Sequence, residues 1–154
     1  MRRTLLLGLP CVLLSIMAGP VPAQAGSAAP VSIDSDSPFD APNTFTASGG
    51  GLCPSGTVIG DSFHGTGSNH ATAFTFHLVK TFTCADGSGS FALRYQAMVQ
   101  PCDPTDAGAW VVVGGTGRYA GLRGAGTMVG NYYPTDACDA VGVFDHLSGM
   151  MVAR

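Results

Sequence analysis

From residue 72 to residue 84 the side chains alternate. Phe74, Phe76, Leu78, Phe82 and Cys84 share one face with Lys80, while Thr75, His77, Val79, Thr81 and Thr83 share the other. A period of two belongs to a half-buried β-strand. Lys80 interrupts the apolar face, which suits a strand end or a barrel mouth, where the stem packs and the ammonium reaches water. Asp86-Gly87-Ser88-Gly89 follows with an Asp-Gly turn signal. Alternation resumes over 90–100, with Phe91, Leu93, Tyr95, Ala97 and Val99 facing one way and Arg94, Gln96 and Met98 the other. Together the two runs predict an antiparallel hairpin.

Shorter runs at 43–47, 57–64, 109–115, 122–133 and 140–153 read as further strands, with 101–106 and 134–139 as loops. No segment sustains a helical period. The 22 glycines, each costing about 1 kcal/mol inside a helix, also argue against long helices. Seven or eight strands at this spacing predict an all-β fold, an antiparallel β-barrel of about eight strands, with a β-sandwich as the alternative.

The N-terminal stretch has a different grammar. Arg2 and Arg3 head an apolar run over 5–17, and Ala23-Gln24-Ala25 closes it with a small-x-small exit. This is the pattern of a cleavable secretory signal over 1–25, too short to span a bilayer. Residues 26–42, rich in Ala, Ser, Pro and Asp, read as a flexible leader, and 43–154 as the barrel domain. The expected location is extracellular, with no membrane span after cleavage. Loss of Arg2 and Arg3 leaves five basic residues against ten Asp, a net charge of −5. That sign offers no footprint for nucleic acid or anionic lipid. The oligomeric state is open.

Export gives the cysteines their meaning. Cys53, Cys84, Cys102 and Cys138 form an even set, which in an exported chain reads as two disulfides. Three pairings are possible; the preferred one joins Cys53 to Cys84 and Cys102 to Cys138, because the last two lie in matching Pro-Thr-Asp-Ala contexts. A zinc site is set aside, since no close Cys/His cluster exists.

The stretch from Trp110 to Thr127 carries Gly114-Gly115-Thr116-Gly117-Arg118-Tyr119-Ala120-Gly121, then Gly124 and Gly126. It resembles the Gly-Gly-Thr-Gly-(Lys/Arg)-(Phe/Tyr)-Ala-Gly segment of the allene oxide cyclase and dirigent-like barrels. The resemblance spans about 57–152, although only some eighteen residues are motif-like. It implies an eight-stranded antiparallel barrel with an apolar lumen, whose glycines allow positive φ and close backbone approach at a corner. It carries over no catalytic residue, because the chain has no Glu to match a catalytic one.

Asp103, Asp106, Asp136 and Asp139 flank the Cys102 and Cys138 loops. If those cysteines are bonded, the four carboxylates crowd one end of the barrel, and calcium would relieve their repulsion. The plainer reading is ordinary turn chemistry with outward acids and no cofactor. Gly60-Asp61-Ser62-Phe63 resembles an esterase nucleophile block, yet no helix follows and Asp145-His146 are adjacent rather than spaced. His64, His70, His77 and His146 read as surface or hydrogen-bonded residues. Trp110, Tyr95, Tyr119, Tyr132 and Tyr133 fill the barrel or line a pocket. Three functions follow: a secreted barrel binding a small apolar ligand or a partner; a cyclase-like or dirigent-like enzyme acting on a reactive lipid or phenolic intermediate, with Lys80 or Arg94 as its polar group; and a structural envelope module. An open lumen holding a desolvated ionisable group favours chemistry, a filled one excludes it.

Overall fold

A computed structural model of the chain describes residues 26–66 and 73–153, so the signal segment and His70 lie outside the described residues. The strands are β1 (Ala29–Pro38), β2 (Asn43–Gly49), β3 (Ser55–Thr66), β4 (Phe74–Cys84), β5 (Ser90–Val99), β6 (Thr105–Gly115), β7 (Arg123–Tyr133) and β8 (Gly142–Val152). Each pairs antiparallel with its neighbour in sequence, and β8 returns to β1 to close the barrel. The barrel is therefore the fold, not the sandwich. Closure removes the free edges an open sheet would expose.

The expected hairpin is β4 and β5, in register from Phe74 opposite Val99 to Thr83 opposite Ser90. Their apolar faces point inward: Phe76, Phe82, Phe91, Leu93, Tyr95 and Ala97 are all buried. The strand ends shift by a few residues from the sequence reading, and two differences matter for the site. Thr105 and Asp106 begin β6 rather than ending a loop. More consequentially, the flexible leader expected over 26–42 contains β1. Ala29 lies opposite Met151 and Pro38 opposite Gly142 on β8, while Val31 to Asp36 pair with β2. Val31, Ile33, Ser35 and Ser37 alternate inward, and all four are buried. The Ser, Asp and Pro content that suggested a leader sits mostly on the opposite face or carries the lumen's polarity.

The two ends of the barrel differ. One is sealed by aromatic rings. Phe82 and Phe91 stack at 5.0 Å, Phe45 meets them edge-on at 5.2 and 5.9 Å, and Tyr119 meets Phe91 at 5.6 Å. Tyr119 reaches this position from a 3-10 turn, Gly117–Tyr119, inside the Gly-Gly-Thr-Gly segment. Gly117 has φ +55, and a Cβ there would lie 2.5 Å from the Ser88 carbonyl oxygen, so the turn requires glycine. The Cys53–Cys84 disulfide staples this sealed end. The Cys102–Cys138 disulfide joins the β5–β6 and β7–β8 loops at the opposite mouth. Both expected pairings are present.

Trp110 packs above the aromatic seal with 2 % exposure, its indole N–H donated to the Thr127 carbonyl at 3.0 Å. A Cβ on Gly126 or on Gly149 would lie 2.6 Å from its ring. Gly126→Ala therefore forces the indole or the backbone to move, and is expected to cost about 1–3 kcal/mol by overpacking. Urea denaturation measures this, and an unchanged midpoint would contradict the packing.

Candidate lumenal site

Above Trp110 the lumen opens into a cavity of about 560 Å³ that reaches the mouth. Its walls are largely apolar, including Phe74, Phe76, Leu78, Val99, Met128 and Val143. Into it project five ionisable side chains: Lys80 from β4, Tyr95 from β5, Asp106 from β6, Tyr132 from β7 and Asp145 from β8.

Lys80 does not reach water at a strand end. It is 5 % exposed, in the middle of its strand, and inward-facing. Its Nζ lies 2.5 Å from Asp145 Oδ2, so the pair bridges the lumen between strands that are not neighbours. Asp145 Oδ2 also accepts the Ser35 hydroxyl at 3.0 Å, and Lys80 donates to Ser37 Oγ at 3.2 Å. Nζ lies 5.5 Å from the centre of the Tyr95 ring. A buried ion pair is tolerated when its remaining hydrogen-bonding capacity is met, and the two β1 serines contribute to this. Lys80 is also the chain's sole lysine, the other basic residues being arginines.

Asp106 forms a second polar focus. Its Oδ1 accepts the Gly130 N–H at 3.1 Å and its Oδ2 accepts the Tyr132 hydroxyl at 2.9 Å. Burial raises the Asp106 carboxyl above its ordinary range; the Tyr132 hydrogen bond opposes this, and the Asp145 charge adds to it. Burial, then Asp106, raises Tyr132. Tyr95 is raised well above its ordinary range, by burial and then by the Asp145 and Asp106 charges, so it stays a neutral hydroxyl. That hydroxyl is buried without a hydrogen-bond partner, the only such side-chain atom among the described residues. Leaving a buried hydroxyl unpaired costs about 1–3 kcal/mol.

The raised Asp106 has a pH consequence. Its folded-state pKa lies above the unfolded value, so its contribution to stability is fully present below pH 3.8 and is lost as pH rises through the folded value. Asp106→Asn removes this dependence while keeping an acceptor for Gly130. The stability of wild type relative to Asp106→Asn is expected to fall as pH climbs from below 3.8 towards neutrality. Urea titrations across that range measure it; a constant difference would contradict the assignment.

The four aspartates considered for calcium do not converge. Asp106 turns into the lumen, 4 % exposed. Asp103 Oδ1 accepts the Thr105 N–H and hydroxyl, and Asp136 Oδ1 accepts the N–H groups of Cys138 and Asp139, so each carboxylate caps a turn. Asp139 is exposed. The tightest grouping of ligand-type residues among those described is Cys102, Asp136 and Cys138, but its two sulfurs are bonded to one another. A disulfide lacks the thiolate that binds metal.

The remaining candidates lie elsewhere. Arg94 is exposed on the outer wall, which removes it as a lumenal group. His64 is exposed and lies opposite His77 across β3 and β4. His146 contacts Asp34 on the outer wall at 2.6 Å. The side chains of Asp61 and Ser62 lie outside the described residues. Tyr133 donates to Asp36 at 2.8 Å.

Ser35, Ser37, Asp106 and Asp145 were not read as lumenal from the sequence, although a signal was present. On β8, Val143, Leu147 and Met151 form an inward stripe broken by Asp145, as the β4 stripe is broken by Lys80. Two apolar stripes broken by opposite charges imply a pair across the barrel.

Compared with protein-family models, curated proteins and solved structures, the chain matches none. No helix among the described residues is long and apolar enough to cross a membrane.

Proposed function

We propose that this barrel binds a small molecule in its lumen, one with an apolar body and a polar head, and does so outside the cell. The observation that carries this reading is the convergence of Lys80, Asp145, Tyr95, Asp106 and Tyr132 on one open, largely apolar cavity. Its volume falls in the range of small-molecule sites, and apolar walls with a few converging polar groups are the usual build of such sites. A barrel serving only as a scaffold gains nothing from desolvating charges that apolar packing would replace. A structural envelope module is therefore the weakest of the three readings.

Export is supported by the Arg2-Arg3 head, the apolar run, the Ala23-Gln24-Ala25 exit and the two disulfides. Cleavage there starts the mature chain at Gly26, just ahead of β1. Kinship with the allene oxide cyclase and dirigent-like barrels accords with the closed topology and with the glycine-rich turn between β6 and β7.

Methionine methyl groups provide the test. Met128 lines the cavity, whereas Met98 and Met150 are exposed on the outer wall. With methyl-labelled methionine, titration with cinnamyl alcohol is expected to shift Met128 saturably and leave Met98 and Met150 unmoved. Shifts confined to the outer wall, or none, would sink the reading.

An enzymatic reading, cyclase-like or dirigent-like, on a reactive lipid or phenolic intermediate stands second. Asp106 favours it: a carboxyl raised by burial, held by Tyr132 and facing the cavity is suited to proton transfer. Under this reading Asp106→Asn abolishes turnover while Met128 still reports binding.

A further inference from the structure

Lysine is among the residues least often buried, and here the only one in the chain lies inside the barrel. An ion pair alone does not explain the choice. Arginine is less strongly hydrated, pairs with carboxylates through two parallel bonds, and occupies every other basic position of this sequence. What lysine has and arginine lacks is a primary amine that becomes a nucleophile on losing a proton.

The surroundings suit that use. Asp145 Oδ2 touches Nζ and is placed to take its proton, which replaces two buried charges by two neutral groups. The Tyr95 ring, its centre 5.5 Å from Nζ, forms an aromatic wall beside the amine. The cavity connects the amine to the mouth along apolar walls. Such walls restrict the water that would hydrolyse a condensation product.

We propose that Lys80 captures carbonyl compounds, condensing through Nζ with an apolar aldehyde or ketone seated in the lumen. The inference deepens the small-molecule reading above and rests on it. The ammonium passes a proton to Asp145. The amine lone pair then forms a bond to the carbonyl carbon, and the carbonyl π pair moves to oxygen. Proton transfer from nitrogen to oxygen gives the carbinolamine. Asp145 returns its proton to the hydroxyl, which leaves as water while nitrogen forms the double bond. The product is a protonated imine beside an ionised Asp145, so the charges of the resting pair are restored. Addition of water reverses the sequence and releases the ligand.

The test uses the purified folded protein, cinnamaldehyde and cyanoborohydride, followed by peptide mapping by mass spectrometry. A single reduced adduct is expected on the peptide containing Lys80. It is lost in Lys80→Arg and in Lys80→Met, and slowed at least tenfold in Asp145→Asn. Cinnamyl alcohol, which cannot condense, is followed in parallel through the Met128 methyl group. If the alcohol shifts Met128 but the aldehyde labels only the N-terminal amine or nothing, lysine capture is overturned and lumenal binding stands. If neither compound enters, both readings fall. Because the wild-type peptide map decides the matter, the outcome does not depend on the variants folding.

Discussion

Asp145→Asn is expected to lower the unfolding free energy by about 3–5 kcal/mol, because it leaves the Lys80 ammonium buried without a counter-charge. The ammonium keeps Ser37 and, through the new amide, one further acceptor, but no neighbouring carboxylate at contact distance. A loss of that size is a large share of the 5–15 kcal/mol typical of a domain. The companion experiment removes both charges. Lys80→Met with Asp145→Leu is expected to fall within about 2 kcal/mol of wild type, since apolar replacement of a buried pair is often neutral or better. Ser35 then loses its acceptor, which costs about 1 kcal/mol and limits any gain. Urea denaturation of wild type, Lys80→Met, Asp145→Leu and the double closes the cycle. Additive effects would mean that the two side chains do not interact.

The second large effect concerns the disulfides. Cys53→Ala with Cys84→Ala releases a loop of 31 residues, for which chain entropy predicts a loss of about 3–4 kcal/mol. The Cys102–Cys138 bridge closes a loop of similar length, 36 residues, but differs in setting. Cys53 and Cys84 are buried in the sealed end, whereas Cys102 and Cys138 are exposed at the mouth. Thiol exchange requires access to a sulfur. Mild reductant followed by alkylation is therefore expected to label Cys102 and Cys138 in the folded protein, and Cys53 and Cys84 only once it unfolds. Simultaneous labelling of all four would contradict the placement of the two bridges.

Much of the barrel was legible in the sequence because it is encoded locally. The period-two runs on β4 and β5 and the Asp-Gly turn between them depend only on residues close in sequence. The disulfide pairing was legible from the matching loop contexts around Cys102 and Cys138. β1 was not, because its inward positions include Ser35 and Ser37, and two serines among prolines and aspartates look like solvated chain. Those serines are buried only because Asp145 and Lys80 arrive from other strands, separated by 110 and 43 residues. The site was hidden for the same reason. Lys80 is a flaw in a stripe when β4 stands alone, and one half of a pair when β8 is set across the lumen. Asp106 reads as part of a loop because Pro104 and an acidic turn precede it, yet its carboxyl finds Gly130 and Tyr132 on β7. Long-range pairing decides all of these, and no local pattern contains it.

Everything proposed for the lumen depends on the placement of one ammonium group, and the composition makes that group observable. Growth on ¹⁵N-lysine gives a protein with a single labelled side-chain nitrogen. Lys80 Nζ is expected to resonate away from free lysine, to move on Asp145→Asn, and to move again when cinnamyl alcohol is added. A resonance at the free-lysine position, unmoved by either change, would place Lys80 in bulk water and end the account.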